Sequence, residues 1–344
     1  MSSSSTPIST AFRSRRGFSL VEFMVAMVLG LIIIGGAISV YLASKNSLTE
    51  VEQVAAVSEN GRFALQVLNY AAKHVAFFGS AAPADIREDG ALGAVTDDCD
   101  APADAYNTDN SFFAVRATSA NVFGCIDDAM PNTDVLVIKG VIPSPLYDAN
   151  PDDPNAPRDG VISFPAGGWD NETAYVIANS EVGIILDGAD TPPDVREGSE
   201  FALGVAWPYR VQIFYVRNNP TGPTLSRKVL AWNGAAMSIQ NENLVQGVEN
   251  MRFLFGFDSD NDGDVDTVDN LTAVGAPTAA AWDSVTSMQA FVLLRSQNAD
   301  PSYTNEKTYR LGDVAVTPGD DIRRVLLHTE ITLRNPRLVL RGGA

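Results

Sequence analysis

Six aspartates fall within twelve residues at Asp258-Ser259-Asp260-Asn261-Asp262-Gly263-Asp264-Val265-Asp266-Thr267-Val268-Asp269. Counted from Asp258, side-chain oxygens stand at positions 1, 3, 5, 9 and 12, a glycine at 6 and an apolar residue at 8. One loop wraps a calcium ion with that spacing. In this reading Asp258, Asp260, Asp262, Asp266 and Asp269 supply side-chain oxygens, and Asp264 supplies its backbone carbonyl. The twelfth position usually holds a bidentate glutamate. Asp269 is one methylene shorter, so a weaker site is expected. The residues before Asp258 alternate as a strand does, whereas a helix leads into the usual loop. Acidic runs of this type also form solvated, metal-free turns, and that alternative stays open.

The second chemically legible stretch is Arg15-Arg16-Gly17-Phe18-Ser19-Leu20-Val21-Glu22, a basic pair and a glycine followed by an apolar segment with one carboxylate. From Phe23 to Ala43 there are 21 consecutive uncharged residues. As a helix they cross the ~30 Å hydrocarbon layer of a bilayer. A carboxylate at the edge of such a segment needs a partner, since burying it alone costs on the order of a few kcal/mol. Cleavage after Gly17 would supply one, because a new ammonium on Phe18 lies one helical turn from Glu22. A secretory signal places its small-residue cleavage site after the apolar run, and here the candidate site precedes it. A plain membrane anchor explains neither the glycine nor the carboxylate.

These residues resemble the type IV prepilin leader. The resemblance implies a peptidase that cuts between Gly17 and Phe18 on the cytoplasmic side and methylates the new amino group, with Glu22 at mature position five acting in assembly. Arg13, Arg15 and Arg16 are the leader's three basic residues, and it has no acidic one. They hold the amino-terminal side in the cytoplasm, which places the rest of the chain in the periplasm or outside.

An amphipathic helix pattern continues past the apolar run through Leu48, Val51, Val54, Ala55, Ala64, Val67, Leu68, Ala71, Val75 and Phe78, with Gly79 as terminator. A single helix from Phe18 to Phe78 has 61 residues and a length of ~90 Å. Gly61 is a weak point in it, and a local bend is expected there. The segment Glu59-Asn60-Gly61-Arg62-Phe63-Ala64 is similar to one found in larger minor pilins. Beyond Gly79 the period changes to two. Val211, Ile213 and Tyr215, then Met251, Phe253, Phe255 and Phe257, then Val325, Leu327, Ile331 and Leu333 read as strands with one buried face. Val135–Ile138, Ile184–Leu186 and Phe291–Leu294 read as further strands. Long Asp/Pro/Gly segments, Ser144 to Gly160 and Leu186 to Gly198, separate them. The expected fold is α+β, a long helix on a mostly antiparallel β domain with acidic loops. Its parts are a leader (1–17), a membrane or bundle half-helix (18–43), an amphipathic half (44–78) and a β-rich domain (79–344).

The 344 residues carry a formal charge of −18, and loss of the leader leaves 21 basic against 42 acidic residues. So acidic a chain is a poor candidate for non-specific DNA binding through its whole surface, because phosphate contacts require basic patches. Cys99 and Cys125 stand in polar, Asp-rich segments, an exposed setting for thiols. In an oxidising compartment they are expected to pair, and closing 25 intervening residues would stabilise the domain by roughly 3 kcal/mol. Two free thiols are the alternative. No zinc spacing links them to His74 or His328. The chain has no nucleophile elbow, H-E-x-x-H, P-loop or dinucleotide motif, and no enzymatic activity is expected.

The order of leader, long helix, strand running into the loop at Asp258 and a late Ile322-Arg323-Arg324-Val325 strand is similar to the PilW-type minor pilins. That resemblance implies a low-abundance subunit, first in the inner membrane and then at the pilus tip. Its implied partners are other minor pilins and the major pilin through their amino-terminal helices, the prepilin peptidase, and a tip adhesin. Two alternatives remain. One is the J-type pseudopilin of type II secretion, which shares leader and helix. The other is a calcium-dependent adhesive module on a pilin stem, since the aspartate loop is similar to the free-standing calcium loops of dockerin-like and adhesin proteins.

Overall fold

The computed structural model describes residues 17–276 and 280–335. Leader residues 1–16, with Arg13, Arg15 and Arg16, lie outside the described residues. The chain divides into two compact units between Glu52 and Gln53.

The first unit contains the beginning of α1 (Leu20–Ala72), whose apolar side chains from Leu20 to Leu42 are exposed. This stretch is long and apolar enough to cross a membrane.

In the second unit α1 buries Val57, Gly61, Ala64, Leu68 and Ala71, a spacing of three and four residues that keeps one face on the core. The helix runs through Gly61 without interruption, and the glycine has a packing use there. A Cβ there would stand 2.4 Å from Leu327 Cδ1 and 2.7 Å from Leu294 Cδ1. The missing side chain lets the helix backbone rest on two leucines of a sheet. The helix also stops at Ala72, six residues before the expected end. His74 and Val75 donate to Ala71 and Ala72, three residues back, and Ala76 adopts a φ of 55°. Carbonyls released by this tightening serve other elements. Phe77 O accepts from Val141 N at 2.8 Å, and Val75 O from Asn335 Nδ2 at 2.9 Å. Val75 and Phe78 stay buried, which is why the apolar spacing runs beyond the helix itself.

The strands are β1 (Ile86–Glu88), β2 (Phe112–Arg116), β3 (Asp134–Val141), β4 (Ala174–Ala178), β5 (Gly183–Asp187), β6 (Val205–Arg217), β7 (Thr224–Trp232), β8 (Met237–Gln246), β9 (Val248–Phe257), β10 (Thr267–Asn270), β11 (Val285–Arg295), β12 (Tyr309–Leu311), β13 (Val314–Val316) and β14 (Arg324–Thr332). One sheet has the order β1-β5-β4-β6-β3-β2, with β7 and β8 branching from β6; a second has the order β10-β9-β11-β14; β12 and β13 form a hairpin. Pairing is antiparallel except between β1 and β5. The arrangement is α+β, as the sequence predicts.

β6 departs from the expected single buried face, since Val211 through Val216 are all buried. Its first residues pair with β4, its last with β7, and its other edge with β3, so it is the central strand and is covered on both sides. The late strand begins at Arg324, leaving Ile322 and Arg323 before it. Asp134 of β3 connects the two sheets midway along β9, accepting from Phe253 N at 2.9 Å and from Arg252 at 3.4 Å. Further along β3, Lys139 is wholly buried. Its Nζ donates to the carbonyls of Pro102, Asp104 and Asn107 at 2.9, 2.7 and 2.8 Å. Burial lowers its pKa to about 8, against the opposing pull of Asp104, Asp98 and Asp109.

Candidate functional site

At the amino terminus, Gly17 and Phe18 precede the helix and are exposed. The helix starts at Leu20, two residues later than expected, because Ser19 caps it. Ser19 N donates to Glu22 Oε2 at 3.0 Å and Glu22 N donates to Ser19 Oγ at 3.2 Å. This reciprocal pair is a capping box, in which each side chain satisfies an amide that the first helical turn leaves free. Glu22 therefore has a partner in the uncut chain. The spacing Ser19-Leu20-Val21-Glu22 announces it in sequence, although the carboxylate's position relative to Phe18 is the louder signal.

The aspartate loop starts where β9 ends. Asp258 is only 2% exposed. Its backbone N donates to Ser284 O at 3.0 Å, and its Oδ2 accepts from Gly263 N at 2.8 Å. Gly263 has a φ of 98°, a conformation that lets the loop turn its amide back on Asp258 and that side chains disfavour. Asp260 Oδ1 accepts from Asp262 N, and Asp262 Oδ1 from Asp264 N at 2.8 Å. These local bonds fold the loop around its own carboxylates. Oxygens of Asp258, Asp260 and Asp262 lie within 4.8 Å of one another. Two oxygens each ~2.4 Å from one calcium ion stand at most about 4.8 Å apart, so the group matches the reach of a single ion. Asp258 Oδ1 is buried and has no hydrogen-bond partner, which leaves a desolvated anionic oxygen beside two further carboxylates.

Two of the other expected side-chain ligands, Asp266 and Asp269, fall outside this group. Asp266 Oδ2 accepts from Ser259 N at 2.8 Å and Ser259 Oγ at 2.5 Å, and these bonds lower its pKa. Asp269 lies exposed on β10, opposite Phe255 of β9. Asp264 is tied into the loop by its amide. The physical reason is the flank. In a helix-flanked loop the chain after position 9 curls back toward the ion, whereas here Asp266 N bonds to Phe257 O and the chain leaves as a straight strand antiparallel to the one that entered. Ser259 and Ser284, which hold the ends of the loop, carry no spacing signal in sequence.

The family model described as type IV Pilus-assembly protein W matches residues 213–335, and that of the prokaryotic N-terminal methylation motif matches residues 12–38. The chain matches a PilW-type pilin. No curated protein and no solved structure matches it. The PilW match opens within β6, takes in the second sheet and the aspartate loop, and reaches the end of the described residues. The methylation motif spans Gly17, Phe18 and Glu22 and, with the exposed apolar helix, indicates a membrane-anchored pilin. Residues 39–212 of the chain lie in neither match.

That intervening part holds the disulfide. Cys99 and Cys125 are joined, with Cα atoms 4.7 Å apart. Cys99 is buried in the main core and Cys125 is partly buried against it, so the exposed setting read from the polar flanks is corrected. Asp98 Oδ1 accepts from Cys99 N and Ala105 N at 2.8 and 2.9 Å. Polar neighbours thus serve the turn while the sulfur faces inward.

Proposed function

We propose that this PilW-type chain is a minor pilin, a structural subunit of the complex that initiates a type IV pilus and sits at its tip. The observation that carries this reading is the pairing of the two family matches, one spanning Gly17, Phe18 and Glu22 and the other the second sheet. The chain is anchored in the inner membrane with its β domain in the periplasm before assembly, and it works by packing rather than catalysis. Mass analysis of the mature protein, together with recovery in sheared fibres, tests this. The expected result is a chain beginning at N-methylated Phe18 that co-purifies with other pilins in the sheared fraction. A processed chain absent from pili, encoded within a secretion operon, would favour the pseudopilin reading instead. A mature terminus elsewhere would remove the pilin reading altogether.

A second reading, that the loop from Asp258 holds calcium, is favoured by the buried, unpartnered Oδ1 of Asp258 beside Asp260 and Asp262. A divalent cation would offset the repulsion among these carboxylates, about 3 to 4 kcal/mol per pair at an effective dielectric of 20 and this separation. Because the ion binds the folded loop, stability should rise by ~2.7 kcal/mol at a hundredfold excess of calcium over its dissociation constant. Melting of the full-length protein in detergent, with millimolar calcium and with chelator, checks it. Indifference to calcium, or an equal response in the variant Asp260→Ala with Asp262→Ala, would return the segment to an acidic turn.

A further inference from the structure

The aspartate loop touches more than its own strand. Asp258 is at once a candidate ligand and the residue whose amide bonds to Ser284 O at 3.0 Å. Ser284 closes the short 3-10 turn Ala280–Ser284 that leads into β11, and its Oγ donates to Ala281 O at 2.9 Å. Within that turn Trp282 is buried. Its ring meets Phe255 of β9 edge-on at 4.9 Å and Phe112 of β2 at 5.8 Å, while Phe112 and Phe255 stand 6.0 Å apart. Phe112 belongs to the first sheet, and the other two rings are tied to the second. One hydrogen bond and two side chains therefore separate the buried carboxylate from the junction between the sheets.

We propose that a calcium ion held by Asp258, Asp260 and Asp262 locks this junction, and that its occupancy is read out on β2 through Ser284 and Trp282. The inference rests on the calcium reading above. Without the ion, the crowded carboxylates are relieved by moving Asp258 toward water. That movement breaks the bond to Ser284 and loosens Trp282 from the Phe112–Phe255 pair. With the ion, Asp258 is held inward and the three rings stay packed. Linkage is reciprocal, so loosening the rings must weaken calcium binding even though no ring touches a ligand.

The experiment uses the full-length protein in detergent, with calcium chloride as the probe. Calorimetric titration gives affinity, and hydrogen exchange with calcium or chelator gives local protection. Calcium should slow exchange across Phe112–Arg116 about tenfold and leave Ala174–Asp187 unchanged. Trp282→Ala should weaken calcium binding about five- to tenfold, and Phe112→Leu should weaken it in the same direction. Coupling of this size is typical between linked sites. Calcium binding with unaltered exchange at Phe112–Arg116 overturns the lock and leaves the metal site standing, whether or not Trp282→Ala folds. Unchanged affinity in folded Trp282→Ala and Phe112→Leu does the same. No heat or shift on titration of the wild type overturns both readings.

Discussion

Replacing Gly61 by alanine sets two effects of similar size against each other. At an exposed position inside a helix, Gly→Ala is stabilising by roughly 1 kcal/mol because alanine loses less backbone freedom on folding. At this position the new methyl would meet Leu327 Cδ1 at 2.4 Å and Leu294 Cδ1 at 2.7 Å. Both atoms are ends of flexible side chains, so the leucines can shift, but into a packed core where overfilling costs typically about 1–3 kcal/mol. The balance is a loss of about 1 kcal/mol, which lowers the melting temperature by about 2–4 °C in a domain of this size. Leu327→Ala alone should cost about 2–4 kcal/mol at most, since Leu327 is only partly buried. In the double variant the alanine at 61 has room, its helix-forming advantage returns, and the two changes should be less harmful together than their sum by about 1–2 kcal/mol. Tryptophan emission during thermal unfolding of the four proteins provides the cycle. A higher melting temperature for Gly61→Ala alone would refute the reasoning, because it would place residue 61 away from the leucines.

Glu22→Ala should insert into the membrane as well as wild type, since it removes a charge, yet lose incorporation into fibres; equal recovery in sheared fibres would show that helix packing alone sets the register. Cys99→Ser should lower stability by roughly 3 kcal/mol, measured by urea unfolding under oxidising conditions, and the loss should vanish when both proteins are compared in reductant. Asp300 has its pKa lowered to about 2 by bonds from Ser302 and Arg323. The stabilisation it gives is complete above its ordinary value of 3.8 and is lost as pH falls toward 2. Asp300→Asn should therefore flatten the pH dependence of melting between those values, and an unchanged slope would place the acid sensitivity elsewhere.

Where periodicity alone decides an element, the sequence made it legible: the helix face at Ala64, Leu68 and Ala71, the alternation of Phe253, Phe255 and Phe257, and the apolar run of β3. It misled where a local pattern has a tertiary cause. Alternation in β6 pointed to one buried face because its polar residue, Gln212, carries no mark of being buried. The polar flanks of Cys99 pointed outward because Asp98 satisfies backbone amides instead of water. Sheet order, the branching of β7 and β8, and the crossing from Asp258 to Ser284 depend on contacts between distant residues and leave no trace in spacing. Part of the aspartate cluster was legible. Positions 1, 3 and 5 come together as spacing requires, while positions 9 and 12 depend on whether a helix or a strand follows, which a motif count does not weigh.

Lys139 gives the protein a second acidic segment with a different temperament. The chain from Asp98 to Asp109 is gathered around an ammonium that three carbonyls grip much as they would a metal ion. That cation is part of the chain, so this segment needs no ion from the medium to close. The loop at Asp258, in contrast, must find its positive charge outside. If the calcium reading holds, a medium poor in that ion would leave the first segment shut and the second slack, so one region would ignore water hardness and the other would register it.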